Sequence, residues 1–361
     1  MARVIVGMSG GVDSSVTAWL LRECGFDVEG ISFVLWEARN RRNPAACCSL
    51  EAVEGASETA RHLGIGHLSL DVREEFIEKV IDPFVDQYTR GLTPNPCILC
   101  NRHIKFPFLL REAERRGAEF IATGHYARVQ RNSGVASGEG SGNLDTKLKK
   151  SIDAGKDQSY VLYGLRPEEL RRLVLPLGEY RKQEVREIAR AMRMAAAERP
   201  ESQEICFIEN NNYAAFIENL LPSAGEPGPV LDAAGQVVGT HKGIYRYTLG
   251  QRKGLGIASL EPRYVTRIDS ERNSIVVGQK EEARIRGILV RDLNWLSAPR
   301  DDRFRATVKV RSMMRDRPAS VEISNGEARV AFDEPQWAPA PGQSAVFYDG
   351  DTVMGGGVIT L

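Results

Sequence analysis

The chain has 361 residues, 42% hydrophobic and 27% charged, which is enough for two or three domains with a real core and unlike a disordered or fibrous protein. Its 48 basic and 48 acidic residues cancel, arguing against strong nonspecific affinity for nucleic acid, and six cysteines are too few for a disulfide scaffold. No apolar run approaches the roughly 18 residues of a membrane span, and the first strand-like segment starts at Arg3 with no room for a signal peptide, so a cytoplasmic protein without a membrane partner is expected. The neutral sum hides unevenness, since residues 51–100 carry 4 Lys/Arg against 9 Asp/Glu while residues 101–200 carry 20 against 13. A basic face is therefore compatible with zero net charge.

In chain order, "RVIVGM" reads as a strand, "SSVTAWLLRECG" as a helix closed by Gly25, and "FDVEGISFVLW" as a second strand. "LEAVEGASETARHLG" is a helix closed by Gly64, "GHLSLD" a strand, "EEFIEKVIDPFVDQYTRG" a helix that Pro83 should kink, and "EFIATGHYAR" another strand. Such alternation predicts a parallel sheet covered by helices, with ligands outside the carboxyl ends of its strands. Residues 131–146, rich in Gly and Ser, predict a surface loop, and two helices follow at about 167–194. Beyond "RPESQEICFIEN" the strands shorten and Gly and Pro recur, predicting an all-β tail in two units with a boundary near residue 284.

"VIVGMSGGVDSS" follows the first strand and opens the first helix. Gly7, Gly10 and Gly11 permit a tight turn that presents successive N–H groups at a helix N-terminus, a cradle for an anion such as pyrophosphate. No Lys-Ser/Thr follows the glycines and the dinucleotide pattern is absent; Ser9, Asp13 and Ser14 fill the polar positions. A glycine turn capped by Ser14 or Asp13 is the plain structural alternative. Strand, S-G-G-x-D-S and helix together resemble the loop of the ATP-pyrophosphatase (PP-loop) superfamily, which cleaves ATP between the α and β phosphates. That resemblance implies ATP against Gly7, Met8, Ser9, Gly10, Gly11, Val12, Asp13 and Ser14, with Asp13 holding Mg²⁺ on the phosphates.

Of the cysteines, Cys24 reads as helix packing, and the adjacent Cys47 and Cys48 in a proline-containing loop carry no assigned role. Cys97 and Cys100 have a C-x-x-C spacing compatible with zinc, an iron–sulfur cluster or redox exchange. A closed zinc site needs four ligands; a second C-x-x-C is absent and only His103 is near. Cys206, in "SQEICFI", reads alone as filler in an apolar strand.

"TPNPCILCN", "ATGHYAR", "KDQSYVLYGL", "SQEICFI", "THKGIYRYTLGQRKGLGI" and the terminal "GGGVI" occur in the order found in the tRNA-specific 2-thiouridylases, which the chain resembles over nearly its whole length. The resemblance implies a PP-loop α/β domain with a parallel sheet at 1–204, a small mostly β central domain at 205–284 and a C-terminal β-barrel at 285–361. It implies replacement of the C2 oxygen of the wobble uridine by sulfur in tRNAs for Lys, Glu and Gln, with ATP consumed to AMP and pyrophosphate. Adenylation would activate a poorly electrophilic carbonyl, and a persulfide on Cys206 would deliver the sulfur. Cys100 would be the second catalytic cysteine, leaving a Cys100–Cys206 disulfide to be reduced, its thiolate favoured by a helix N-terminus, Arg102 and Lys105. Many relatives have Asp where this chain has Cys97, so Cys97, Cys100 and Cys206 as iron–sulfur ligands form the alternative. The sulfur donor would be a cysteine desulfurase or a relay protein.

By the same match Phe33 and Gly124 would contact ATP. Asn95, Pro96, Cys97, His125, the Lys156–Asp157–Gln158 segment, Arg311, Ser312 and Gln343 would contact tRNA, although a structural histidine at 125 and a helix-capping "D-x-S" at 157 are the ordinary readings. Ser312 stands where the family usually has an aromatic residue. Period two in "RFRATVKVR" predicts a barrel wall with Arg303, Arg305, Lys309 and Arg311 on one face, and "THKGIYRYTLGQRK" adds His241, Lys242, Arg246, Arg252 and Lys253, a pattern suited to phosphate contacts. Two other classes stay open: a different PP-loop ligase, which needs the loop but no thiols, and an RNA-binding module without ATP turnover.

Overall fold

A computed structural model describes residues 1–36, 50–131, 146–198, 205–208 and 212–360. Cys47, Cys48 and nearly all of the Gly/Ser segment lie outside the described residues. Two compact units are present, one of Met1–Val80, Cys97–Glu209 and Asp351–Val353, the other of Ile81–Pro96, Asn210–Gly350 and Met354–Leu361.

The first unit is built on β1 (Arg3–Gly7), whose Val4, Ile5 and Val6 are wholly buried, as expected of a strand covered on both faces. After it come α1 (Val12–Glu23), β2 (Asp27–Val34), α2 (Leu50–Leu63) and β3 (Gly66–Asp71). Ala52, Ala56 and Ala60, four apart on α2, are all buried and keep that helix slim where it meets the sheet. Gly25 (φ 83°) and Gly64 (φ 66°) end α1 and α2 in the left-handed conformation that an L side chain disfavours. With β4 (Phe120–Thr123) and β7 (Leu173–Val174) the sheet has order β3-β2-β1-β4-β7, all parallel. Connections leave β1 toward β2 on one side and β4 lies on the other, so a crevice is due at the carboxyl ends of β1 and β4.

Two helices of this chain widen before a proline. Between Arg73–Phe76 (α3) and Asp82–Thr89 (α4) runs a π-helical turn at Ile77–Ile81, ahead of Pro83. A second π turn, Asn101–Lys105, joins α5 (Pro96–Cys100) to α6 (Phe106–Arg115), ahead of Pro107. A proline ring crowds the carbonyl four residues back, and both such carbonyls fall inside these π turns.

"EFIATGHYAR", expected as one strand, is two. β4 stops at Thr123, and β5 (Ala127–Arg131) forms an antiparallel hairpin with β6 (Thr146–Lys150). Gly124 sits so close to α1 that a Cβ there would lie 2.8 Å from the Ser14 nitrogen, so the chain must turn at that point. Helices α7 (Pro167–Arg172) and α8 (Lys182–Ala191) complete the unit. The described part of "SQEICFI" is a turn rather than a strand, closed by Ile208 N–H donating to the Ile205 carbonyl at 3.0 Å.

The second unit departs from all-β at its start, where α9 (Tyr213–Leu220) is capped by Asn212, whose Oδ1 accepts from Ala215 N–H at 3.1 Å. Tyr213 stacks on Tyr88 of α4 at 4.7 Å. A four-stranded sheet follows in the order β10-β11-β8-β9, formed by β8 (Gly228–Leu231), β9 (Val237–His241), β10 (Tyr264–Asp269) and β11 (Ser274–Gly278). β12 (Arg284–Trp295), β13 (Arg303–Lys309), β14 (Arg317–Ser324), β15 (Glu327–Trp337), β16 (Ser344–Asp349) and β17 (Thr352–Thr360) then close into a barrel through the β12–β17 pairing. Val290, Val308, Val321, Val330 and Phe347 fill it.

Candidate active site: a glycine loop, an ion pair and a cysteine helix

The glycine loop lies at the crevice the topology calls for. Met8 N–H donates to the Ile31 carbonyl at 2.7 Å, and the Met8 carbonyl accepts from the Ser32 hydroxyl at 2.7 Å, with His67 Nε2 2.9 Å from that same hydroxyl. Burial keeps the His67 ring below its ordinary pKa, so this brace stays neutral. Gly10 has φ 72° and its absent Cβ would fall 2.2 Å from the Ala52 carbonyl oxygen, so only glycine fits. Gly11 is extended and precedes α1, its carbonyl accepting from Ser15 N–H and the Ser14 and Ser15 hydroxyls, while Ser14 Oγ accepts from Ser9 N–H at 3.1 Å. Met8 and Val12 are buried and carry the loop on the core. The loop is therefore fixed before any ligand arrives.

Asp13, in the first turn of α1, holds two partners. Lys182 Nζ donates to both carboxylate oxygens, at 2.7 and 2.8 Å, and the Tyr126 hydroxyl donates to Oδ1 at 2.7 Å. Neither Lys182 nor Tyr126 was singled out by the sequence; Tyr126 sits inside the quoted "ATGHYAR", and nothing in the spacing of "RKQEVREI" distinguishes its lysine. One carboxylate beside a phosphate cradle fits Mg²⁺, which characteristically takes one or two carboxylates and completes its shell with phosphate and water. Among the described residues no group of three His, Cys, Asp or Glu side chains is gathered for a metal. Cys97, Cys100 and Cys206 form no such group among the described residues.

Beside the loop is a cavity of about 60 Å³ lined by Gly7, Met8, Ser9, Phe33, Leu35, Lys105, Leu109 and Thr123. Phe33, at the end of β2, meets Phe108 edge-on at 6.5 Å. Lys105, which the sequence offered only as an aid to the Cys100 thiolate, lines this cavity together with Leu109, which was missed.

The thiols differ in setting. Cys97 is exposed in the first turn of α5; Cys100 is buried at its end and Cys206 is half-buried on the Ile205–Ile208 turn. A helix N-terminus thus favours Cys97 more directly than Cys100, contrary to expectation, because the helix begins at Pro96. Phe207 anchors the Cys206 turn by packing edge-on against Phe76 at 5.6 Å. Both Cys100 and Cys206 are thiols rather than a disulfide. Cys24, expected in the core, is instead exposed as the residue capping α1.

Several residues proposed from sequence to meet RNA carry structural bonds. Asp157 accepts from the Ser151 and Ser159 N–H groups and the Ser159 hydroxyl, and Gln158 Oε1 accepts from Tyr126 N–H at 2.9 Å. His125 stacks near Phe106, lies 2.7 Å from the Thr123 hydroxyl through Nδ1, and has its pKa pushed down to about 3 by burial and then by Lys105, so it brings no charge. Arg311 donates to the Leu249 and Ala338 carbonyls at 2.8 and 2.7 Å, beside a half-buried Ser312, and Gln343 Nε2 donates to the Thr93 carbonyl at 2.8 Å. Asn95 and Lys156 are half-buried and Pro96 is buried.

The basic row of β13 is corrected by its neighbours. Arg303 pairs with Glu322 and Arg305 with Asp333, each at 2.6 Å, and Lys309 is buried. His241 drops out of the basic set, for its Nδ1 accepts from Gly243 N–H and Nε2 donates to the Asn273 carbonyl, with burial depressing its pKa. Arg246 pairs with Glu218.

Residues 2–210 match the family described as tRNA methyl transferase HUP domain, 214–279 its PRC-barrel domain and 285–359 an aminomethyltransferase β-barrel domain. The chain is 42% identical to the tRNA-specific 2-thiouridylase MnmA of Halothermothrix orenii, covering 99% of each chain. Identity to the enzyme of the same name from Carboxydothermus hydrogenoformans is 45%, over 99% of this chain and 97% of that one, and to that of Clostridioides difficile 43%, over 99% and 98%. With glycine loop, cysteine helix and barrel all inside these matches, the chain belongs to the tRNA-specific 2-thiouridylase family.

Proposed function

We propose that the protein is an ATP-dependent tRNA uridine 2-sulfurtransferase acting on the wobble uridine of tRNAs for Lys, Glu and Gln. ATP lies on the loop from Gly7 to Ser14, with Phe33 and Gly124 at its adenosine. Asp13 would hold Mg²⁺ together with the phosphates, and the ion when bound would supply charge neutralisation for the departing pyrophosphate. The C2 oxygen attacks the α phosphorus, and the terminal sulfur of a Cys206 persulfide then attacks C2 while AMP leaves with that oxygen. Cys100 attacks Sγ of Cys206 as the persulfide is consumed, giving a disulfide that an external thiol reduces. A cysteine desulfurase or relay protein reloads Cys206.

For tRNA contact we propose Asn95, Cys97, His125, Lys156 and Ser312 as touching residues, with Pro96, Asp157, Gln158, Arg311 and Gln343 shaping the backbone that does so. A three-part division at 204/205 and 284/285 is supported by the nearby limits of the family matches. No helix among the described residues is long and apolar enough to cross a membrane.

The observation that carries the reading is a single helical run with Cys97 and Cys100 at its start and Lys105 in the cavity wall beside the glycine loop. Thiol and nucleotide chemistry therefore share one element. Nucleoside mass spectrometry on cells lacking the protein should show 2-thiouridine derivatives lost, restored by the native chain and not by Cys100→Ser or Cys206→Ser. Restoration by both variants would move the assignment to a PP-loop ligase of another kind.

A further inference from the structure

Asp13 is the carboxylate assigned to the nucleotide's metal, yet both its oxygens are taken by Lys182, a lysine only 9% exposed and the first residue of α8. A cation there gains nothing for the helix, since the N-terminus of α8 carries partial positive charge of its own. Nor is the ion pair needed to fix α8 to α1: the Asp13 side chain is 34% exposed, where such pairs stabilise little, and Val185 and Ala189 already pack α8 into the same core as α1. The pair is instead placed at the loop: Tyr126, 2% exposed, donates to the same carboxylate, its ring lies 5.6 Å from the ammonium, and a Cβ on Gly124 would fall 3.1 Å from the Asp13 Cβ. The Lys182 backbone is separately tied, its N–H donating to Asp153 Oδ2 at 3.0 Å, so the side chain can change partner without moving the helix.

We infer that Lys182 is an exchangeable phosphate ligand: it neutralises Asp13 while the loop is empty and moves its ammonium to a β or γ phosphate oxygen of ATP when Asp13 turns to the metal. The inference rests on the nucleotide reading of the loop and extends it. Three features follow. The empty site keeps Asp13 compensated, the loop does not attract a divalent cation by itself, and the triphosphate meets a charge already in position. AMP, lacking β and γ phosphates, gains nothing from Lys182.

Isothermal titration with ATP and with AMP, each in EDTA and in Mg²⁺, on the native chain, Lys182→Met, Lys182→Arg and Asp13→Asn tests this. Expected are a loss of metal-free ATP affinity of about tenfold or more in Lys182→Met, the scale of a charged hydrogen bond, with AMP affinity unchanged and Lys182→Arg recovering most of the loss. Asp13→Asn should bind metal-free ATP more tightly than the native chain, because the ammonium is released, while losing the gain from Mg²⁺. Unchanged metal-free ATP binding in Lys182→Met, equal losses for ATP and AMP, or no tightening in Asp13→Asn would each overturn the exchange. Should Lys182→Met fail to fold, Asp13→Asn decides alone. A native chain that binds ATP under neither condition overturns the nucleotide reading and the exchange together, whereas ATP binding with flat responses at both positions overturns the exchange only.

Discussion

Gly124 and Gly10 show what a single missing Cβ controls in this site. A methyl at Gly124 would lie 2.8 Å from Ser14 N and 2.9 Å from Asp13 C, both backbone, so the first turn of α1 must yield. Gly124→Ala should therefore weaken ATP binding by about tenfold or more and lower the melting temperature as well, since the atoms that must move are backbone; equilibrium dialysis beside a thermal melt reads the two effects. Gly10→Ala adds a strained φ to a 2.2 Å backbone clash and is expected to cost about 1–3 kcal/mol or more of stability, read from denaturant unfolding. The tight glycine turn between β1 and α1 was legible from the order of strand, S-G-G-x-D-S and helix. What was not legible is what surrounds it: Lys182 is 169 positions from Asp13, and no local pattern ties a lysine in one helix to an aspartate in another.

Elements decide which charges reach a partner. Alternation in "RFRATVKVR" gives the face of β13 correctly for Arg303 and Arg305, but Glu322 and Asp333, which neutralise them, come from β14 and β15 and depend on register. Arg311 illustrates the same limit, for its guanidinium spans two carbonyls from segments 62 and 27 residues away. Arg311→Ala should leave both without a charged donor and destabilise the second unit by about 1–3 kcal/mol, lowering its unfolding midpoint in denaturant. A normal midpoint with a tRNA affinity that becomes less salt-dependent would instead make Arg311 a phosphate contact. The broken strand at Gly124 and the turn at Cys206 were misread for a related reason: apolar runs of four to six residues fit a strand equally well, and only tertiary contact chooses between them.

At the scale of the whole molecule, four of the five histidines, His67, His103, His125 and His241, have pKa values below the ordinary 6.5, with burial the leading cause in each. The unfolded chain then binds more protons than the folded one at pH below about 6.5, so stability is fully present above that pH and is lost as pH falls toward the folded values. Denaturant titrations from pH 8 to pH 4.5 should show the unfolding free energy falling below about pH 6.5, less steeply in His125→Gln; a flat profile would mean the rings are solvated. Fold class and three-part order were readable because the six motifs run the full length of the chain, whereas the partition into compact units was not, since Ile81–Pro96 belongs by contact with residues more than a hundred positions later.

The central claim is that the uridine's own C2 oxygen is carried away on AMP while sulfur from Cys206 takes its place. An anticodon stem-loop labelled with ¹⁸O at C2 of the target uridine, turned over with ATP and a persulfide donor, tests it by mass spectrometry of the nucleotides. The account predicts AMP heavier by one ¹⁸O for each 2-thiouridine formed, with unlabelled pyrophosphate. Label appearing in water, or thiouridine forming with unlabelled AMP, would contradict it.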